Sequence, residues 1–160
     1  MKRKDVTIFA LMGILYVFIE VAYSSIVSME PSLIGKSSLW MMLVGGMLGY
    51  SLGKLNQMGW FNKLHHAVTV LIGATTITAI ELVSGLILNT WLGFNIWDYS
   101  DSALNLWGQI DWVHSMCWVV ITPFAFWADD VLRHYLFDAP KPPPMLAYYY
   151  RNVREPITYR

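Results

Sequence analysis

The 160-residue chain is 56% hydrophobic and only 14% charged, and its mean hydropathy is +0.43. A soluble domain carries about 25% charged residues, so this composition excludes most water-soluble folds. The formal net charge of zero and a pI near 6.9 give no basic surface for nucleic acid. The single cysteine, Cys117, has no disulfide partner within the chain and lies outside any zinc or redox spacing.

Four apolar segments approach the length of about 20 residues that a helix needs to cross a bilayer. Each is predicted to be helical because backbone amides in lipid must bond within their own segment. The third has Glu81 as its only charged residue, whereas a core helix of a soluble bundle would carry a charged face. The predicted fold is an all-α integral membrane four-helix bundle. Its domain covers residues 1–137, with spans at residues 7–27, 39–55, 67–88 and 103–128, and a Pro-, Tyr- and Arg-rich tail covers residues 138–160.

The basic residues predict the orientation, because cytoplasmic loops carry an excess of Lys and Arg. With the N-terminus inside, Lys36 is the only one of the 11 basic residues that lies outside. Both termini are therefore predicted to be cytoplasmic, in a plasma or inner membrane. Tryptophan anchors agree with this frame. Trp40, Trp91, Trp97 and Trp107 fall near the outer boundary, and Trp60 and Trp127 near the inner one.

The first span also has features of a secretory signal. Lys2, Arg3 and Lys4 precede an apolar stretch, and Ala22 and Ser24 have the spacing of a cleavage site. The apolar run is long for a signal peptide and no soluble domain follows it, so we expect a retained helix, with processing of this span as the alternative.

The tail differs in character from the spans. The Pro140–Pro144 stretch cannot continue a helix and favours an extended spacer. Tyr148, Tyr149 and Tyr150 with Arg151 and Arg154 suit the headgroup zone of a membrane, and a solvated tail is the alternative. The residues just before it, Asp129, Asp130, Arg133 and His134, are interpreted as a solvated extension of the last helix.

Small residues predict where helices meet, because helices in lipid associate through close backbone approach and hydrogen bonds. The second span carries a ridge of glycines at four-residue spacing, and the third adds the small residues Gly73, Ala74, Thr78, Ser84 and Gly85. The glycines predicted to pack helices are Gly45, Gly49, Gly53 and Gly85.

The intramembrane ionisable residues are predicted to share one level. At about 1.5 Å per residue, Glu20, Glu81 and His114 lie about 20 Å from the inner ends of their helices, and Asp111 lies about 26 Å away. Ionisable groups in hydrocarbon are costly and normally face an interior or water. We expect Glu20, Glu81, Asp111 and His114 to form a polar, proton-titrating site for substrate or ion. The alternatives are hydrogen bonds that only hold helices together, a metal site of the same four residues, and hydrolytic chemistry.

Several segments resemble one membrane family. Residues 77–85 read ITAIELVSG, and residues 91–100 read WLGFNIWDYS. Further matches are Tyr16 with Glu20, the paired glycines within residues 38–49, and the block from Asn105 to Ile110. Together these segments resemble the type IV ABC-transporter permease-like family, to which transmembrane protein 229 is also similar. The resemblance covers most of residues 10–137 and implies a transport role with any ATPase on a separate subunit, since the chain has no nucleotide-binding motif.

The outer loop is too polar and aromatic for a passive linker. We expect Trp97, Asp98, Tyr99 and Asn105 to form a lid over the acidic layer, with Asp98 accepting hydrogen bonds. The predicted function is a permease or permease subunit for an ion or small solute, not an enzyme, without a cofactor and homo-oligomeric in the bilayer. The alternative is a scaffold or accessory protein whose buried acids hold helices together.

Overall fold

The computed structural model describes residues 3–29 and 37–150. These residues form α-helices, and the described ranges contain no β-strand beyond an isolated bridge between Leu106 and Ile110. The chain divides into two compact units, Met1–Tyr50 and Ser51–Arg160. The helices are α1 (Arg3–Val27), α2 (Leu39–Asn56), α3 (His66–Gly85), α4 (Trp112–Phe137) and α5 (Ala147–Tyr150), with a 3₁₀ turn at Phe61–Lys63 and a π-helical turn at Leu86–Trp91.

Three helical segments are long and apolar enough to cross a membrane, namely Arg3–Val27, His66–Trp91 and Trp112–Phe137. The prediction of an all-helical membrane protein is therefore confirmed at this level. Helix α2 has 18 residues, which span about 27 Å, and its last turn carries Lys54. The fourth span, the four-helix bundle and the cytoplasmic side of both termini stay predictions.

The start predicted for the last helical span is wrong, because residues 103–111 precede the helix. The sequence predicted residues 103–128, whereas α4 begins at Trp112 and ends at Phe137. The Asp111 side chain accepts a hydrogen bond from the His114 backbone N–H and so caps the helix at this point. Leu104, Trp107 and Gly108 have positive φ angles, which a right-handed helix does not permit. A hydropathy pattern detects neither the helix cap nor the positive φ angles.

Within the first unit, the glycines of α2 lie against side chains of α1. A Cβ atom at Gly45 would overlap the Tyr16 side chain, and one at Gly49 would overlap Met12. Gly46 lies equally close to Phe9, whose carbonyl oxygen would be 2.7 Å from such a Cβ. The glycine ridge therefore lets α1 and α2 approach closely within this unit.

Within the second unit, α3 and α4 pack as antiparallel neighbours. A Cβ atom at Gly73 would lie 2.5 Å from the Thr122 methyl carbon, so only glycine permits this separation of the two helices. Phe61 and Phe126 are fully buried and meet edge to face, with ring centroids 5.7 Å apart. Closer to the start of α4, Trp118 reaches the side chain of Glu81 on α3.

The chain turns back after α4. Asp138 adopts a left-handed conformation, and the Ala139 N–H donates to the Arg133 carbonyl, as is common at helix C-termini. Tyr148 on α5 is buried, and the Tyr149 hydroxyl donates to the Val120 carbonyl of α4 at 3.1 Å. The described part of the tail thus packs on α4, which contradicts the solvated alternative. Arg151 and Arg154 lie outside the described residues.

The interpretation of the last turns of α4 as a solvated extension is also wrong. Asp129, Asp130 and Arg133 are buried. Their neighbours include Gly53, Asn56 and Tyr148 of α5, whose position relative to α4 the sequence pattern does not reveal.

Candidate functional site

Glu81 is the buried acid around which the second unit builds a polar site. It lies four residues before the end of α3, and its side chain is 5% exposed. The Trp118 indole N–H donates to Oε2 at 2.8 Å, and the Tyr99 hydroxyl donates to Oε1 at 3.4 Å. Among the described residues, no Lys or Arg lies within ion-pair distance of Glu81. The carboxyl group is therefore held by neutral donors alone.

Asp111 and His114 form a second polar pair beside Glu81. One carboxylate oxygen of Asp111 accepts from the His114 backbone N–H and lies 2.8 Å from His114 Nδ1. Asp111 is 3% exposed, whereas the His114 side chain is 31% exposed. A carboxylate in this position fixes the imidazole tautomer or shares its proton. The pair therefore places a titratable ring between solvent and the buried site.

Tyr99 connects the two groups. Its ring stacks on the His114 imidazole, with centroids 4.4 Å apart and planes inclined by 23°, while its hydroxyl reaches Glu81. The structure thus brings Glu81, Asp111 and His114 together through Tyr99. One buried acid, one phenol and one partly exposed imidazole therefore lie in contact.

The loop between α3 and α4 is held by its own side-chain amides. The Asn89 side chain lies in the π-helical turn and donates to both the Trp97 carbonyl and Gln109 Oε1, each at 2.9 Å. It also accepts from the Ile96 N–H at 2.7 Å. The Trp97 indole N–H donates to the Gln109 carbonyl at 2.9 Å. A π-helical turn is rare and occurs often at functional sites, and here it turns Asn89 toward the loop.

The other predicted lid residues shape the loop. Asp98 Oδ1 accepts from the Ser100 hydroxyl at 2.6 Å and from its N–H at 2.9 Å. The Asn105 side chain donates to the Ser102 carbonyl at 2.8 Å and accepts from the Gly108 N–H at 2.9 Å. Of these residues, Tyr99 is the one that reaches Glu81 directly. A lid function of Trp97, Asp98, Tyr99 and Asn105 stays a prediction.

Two acids outside the membrane-spanning helices have shifted pKa values. Burial acts to raise the pKa of Asp111, but the His114 N–H, the Ser102 hydroxyl and the His114 ring together outweigh it, and the net shift is downward. The Ser100 hydroxyl, followed by the Ser100 N–H, lowers the pKa of Asp98. Both carboxylates are therefore stabilised in their charged form.

A family model described as Putative ABC-transporter type IV matches residues 7–142. The chain belongs to this family. The comparison with curated proteins and the comparison with solved structures find no match. The matched region of this ABC-transporter family member covers most of α1 and all of α2 to α4 with the Glu81 site, and it ends before α5. Family membership and the three apolar segments identify a membrane protein.

Glu20 belongs to the first unit and has a separate partner there. The Ser37 hydroxyl donates to Glu20 Oε2 at 2.5 Å. That Glu20 acts together with Glu81 stays a prediction. Within residues 3–29 and 37–150, no group of three or more His, Cys, Asp or Glu residues is arranged to hold a metal ion.

The glycines predicted to pack helices in the second unit lie at two different contacts. A Cβ atom at Gly85 would lie 2.5 Å from Gln109 Oε1, so this glycine allows the loop to approach α3. A Cβ atom at Gly53 would overlap the Asp129 carboxylate. Their role in packing stays a prediction, but each lies at a close approach.

Sequence reasoning missed two residues of this site. Trp118 donates the shorter hydrogen bond to Glu81, and Gln109 joins Asn89 to the loop. Trp118 lies four residues after His114, and residues four apart share a helix face. This spacing was the signal that could have placed Trp118 next to the predicted site.

Proposed function

We propose that this protein is a small permease, or the permease subunit of a transporter, for an ion or small solute, with Glu81, Asp111 and His114 as its polar site. Membership of an ABC-transporter family supports a transport role. Such a protein would act in the plasma or inner membrane, without enzymatic activity of its own.

One observation carries this proposal, namely a buried carboxyl group on a spanning helix whose hydrogen bonds within the described part of the chain come from neutral donors. Charge in the bilayer centre costs about 3 kcal/mol for Asp, Lys or Arg on insertion scales. An indole N–H and a phenol hydroxyl reduce that cost but do not neutralise the charge. Binding of a proton or a small cation would neutralise it. The partly exposed imidazole of His114 beside Tyr99 gives such an ion a route toward Glu81.

Proton flux into proteoliposomes tests the proposal. The purified protein is reconstituted around a pH-sensitive dye, and a potassium diffusion potential drives protons inward. We expect flux above that of protein-free vesicles, and we expect Glu81→Gln to reduce it at least tenfold. A glutamine oxygen still accepts a hydrogen bond from Trp118 or Tyr99, so the melting temperature should stay near that of the wild type.

The matched control is Asp101→Asn, which removes an exposed carboxylate from the same loop and should leave the flux unchanged.

The scaffold function is the second candidate, because both oxygens of Glu81 are bonded within the chain and join α3 to α4 and the loop. The scaffold function would be favoured if the wild type shows no proton flux. It also requires that Glu81→Ala lowers the melting temperature and that Glu81→Gln preserves it.

We also propose that the chain acts as a homo-oligomer or together with a separate ATPase subunit. A single chain of 160 residues encloses little volume, and family membership is in keeping with an ATPase partner. Mild solubilisation of native membranes and affinity purification should recover an ATPase subunit in fixed ratio to this chain. Recovery of the chain by itself, without ATPase activity, would contradict the ATPase partner.

A further inference from the structure

The far end of α4 carries a second group of buried ionisable side chains that no motif predicted. Asp129, Asp130 and Arg133 are 0%, 2% and 6% exposed. Asp129 follows Trp118 by eleven residues, which is about 16 Å along the helix. This group therefore lies well apart from the Glu81 site, in the same unit but near the opposite end of α4 from Trp118.

Asp130, like Glu81, accepts hydrogen bonds from a side-chain N–H and from a phenol hydroxyl. The Asn56 side-chain N–H donates to Oδ1 at 2.8 Å, and the Tyr148 hydroxyl donates to Oδ2 at 2.6 Å. Both sites thus hold a buried carboxyl group between one neutral N–H donor and one phenol hydroxyl. The α5 residue Tyr148 completes the second site just as the loop residue Tyr99 completes the first.

Asp129 provides an independent observation, because one of its oxygens has no hydrogen-bond partner among the described residues. Arg133 Nε donates to Oδ2 at 2.7 Å, but Oδ1 and the Arg133 Nη2 atom are buried and unpartnered. Oδ1 lies against the backbone of Gly53, where any Cβ atom would overlap it. A buried carboxylate oxygen without a donor is costly. A proton is the ligand that fits an oxygen so closely covered.

The fully buried residues of the cluster carry an excess of one negative formal charge, which the half-buried Lys54 offsets in part. The buried charges are two carboxylates and one guanidinium, which leaves one net negative charge when both acids are ionised. Lys54, at the end of α2, is half-buried and attracts Asp129 electrostatically. From α5 the group that faces the cluster is the Tyr148 hydroxyl, which is neutral. A single proton would therefore neutralise the buried part of the cluster.

A polar stripe on α4 connects the two sites. Trp118, Thr122 and Asp129 recur at spacings of four and seven residues, which place them on one helix face. The Thr122 hydroxyl is fully buried and donates to the Trp118 carbonyl at 2.7 Å. Pro123 lies between the sites inside α4 and removes one helical hydrogen bond, so the helix is able to bend there.

We propose that Asp129 and Asp130, with Arg133, Asn56 and Tyr148, form a second proton-binding site of the protein, on the pathway that includes Glu81. The assignment to a pathway rests on the proposed function, whereas proton binding at the second site does not. The second site binds a proton toward the C-terminal end of α4, and the Glu81 site binds it nearer the N-terminal end.

Infrared spectroscopy of the full-length protein in proteoliposomes tests proton binding directly. A protonated carboxyl group has a C=O stretch that an ionised one lacks. We expect a carboxyl band that changes with pH in the wild type and that is lost in Asp129→Asn or Asp130→Asn. Tyr148→Phe should keep the band. Because it removes a hydrogen bond to Asp130, a proton held by Asp130 shifts the band to higher frequency, whereas a proton held by Asp129 leaves it unshifted. Retention of the unshifted band in all three variants would overturn the proposal.

Asp138→Asn is the matched control, because Asp138 is exposed on the same stretch of chain and asparagine tolerates its left-handed conformation. This variant should leave the band unchanged. If one aspartate variant fails to fold, the other and Tyr148→Phe still decide the result.

Proton flux in the same vesicles separates the two proposals. With wild-type flux present, Asp129→Asn and Asp130→Asn should each reduce it at least tenfold, and unchanged flux in both would overturn the second site's place on the pathway. Absence of wild-type flux would contradict the proposed function, and the infrared band would then decide proton binding by itself.

Discussion

Asp111 combines two structural functions in one side chain. Its carboxylate caps α4 through the His114 N–H, and the same oxygen lies 2.8 Å from the His114 ring. The three-residue spacing of Asp111 and His114 predicted that these two side chains pair. It did not show that Asp111 ends the loop and begins the helix, because the positive φ angles of Leu104 and Trp107 arise from loop contacts and leave no hydropathy signal.

The cap is predicted to depend on pH. The folded-state pKa of Asp111 lies below its ordinary value of 3.8, so its stabilisation is fully present above that pH and is lost as the pH falls through the folded pKa. We expect the melting temperature of the wild type to fall on acidification below about pH 4 by more than that of Asp111→Asn.

The two Asp111 variants separate the cap from the charge. Asparagine is also a good N-cap, whereas alanine costs about 1 kcal/mol at such a position. At neutral pH, Asp111→Ala should therefore unfold at a lower temperature than Asp111→Asn. Equal melting temperatures for both variants would show that the cap does not stabilise α4.

At the level of helices, the contact between α3 and α4 sets the position of both polar sites. Gly73 allows Thr122 to approach, and the Phe61 and Phe126 pair fills the space beside it. The sequence pointed to small residues at helix contacts but could not tell which helix each would meet. That choice depends on side chains that lie far apart in the chain.

The loss of stability caused by a substitution at this contact should be offset by a second substitution. Gly73→Ala places a Cβ atom 2.5 Å from the Thr122 methyl carbon, and overpacking of this kind costs about 1–3 kcal/mol. Thr122→Ser removes that methyl group and keeps the hydroxyl bond to Trp118. In thermal unfolding, the double variant should be more stable than the two single effects added together predict.

The matched control is Gly59→Ala, because a Cβ atom at Gly59 would meet no atom within 4 Å. It should leave the melting temperature nearly unchanged. If the stability changes of Gly73→Ala and Thr122→Ser simply add in the double variant, these two residues do not limit the approach of the helices.

At the level of the whole molecule, the number of spans decides the topology. Three segments meet the requirement for a span by length and composition, which would place the two termini on opposite sides. If α2 also crosses the membrane, both termini lie on the same side. We expect four spans with both termini cytoplasmic, because this arrangement leaves Lys36 as the only basic residue outside.

Cysteine labelling in sealed, right-side-out vesicles tests this topology. Cys117 is replaced by Ser, and single cysteines are placed at Lys2 or at Thr158. An impermeant maleimide should label neither position until the vesicles are opened. Labelling of one terminus only in intact vesicles would show an odd number of spans and would exclude α2 as a crossing helix.

The sequence by itself determined that this is a helical membrane protein and that Glu81 is the only charged residue of its apolar segment. These conclusions follow from local properties, since apolar length and an isolated charge act within one segment. Only the tertiary structure decided that α4 begins at Trp112, that Trp118 bonds Glu81 and that Asp129 and Asp130 are buried. Those facts depend on which side chains the fold places opposite each other. Trp118 lies 37 residues from Glu81, and Asn56 lies 74 residues from Asp130, so no local pattern in the chain carries that information.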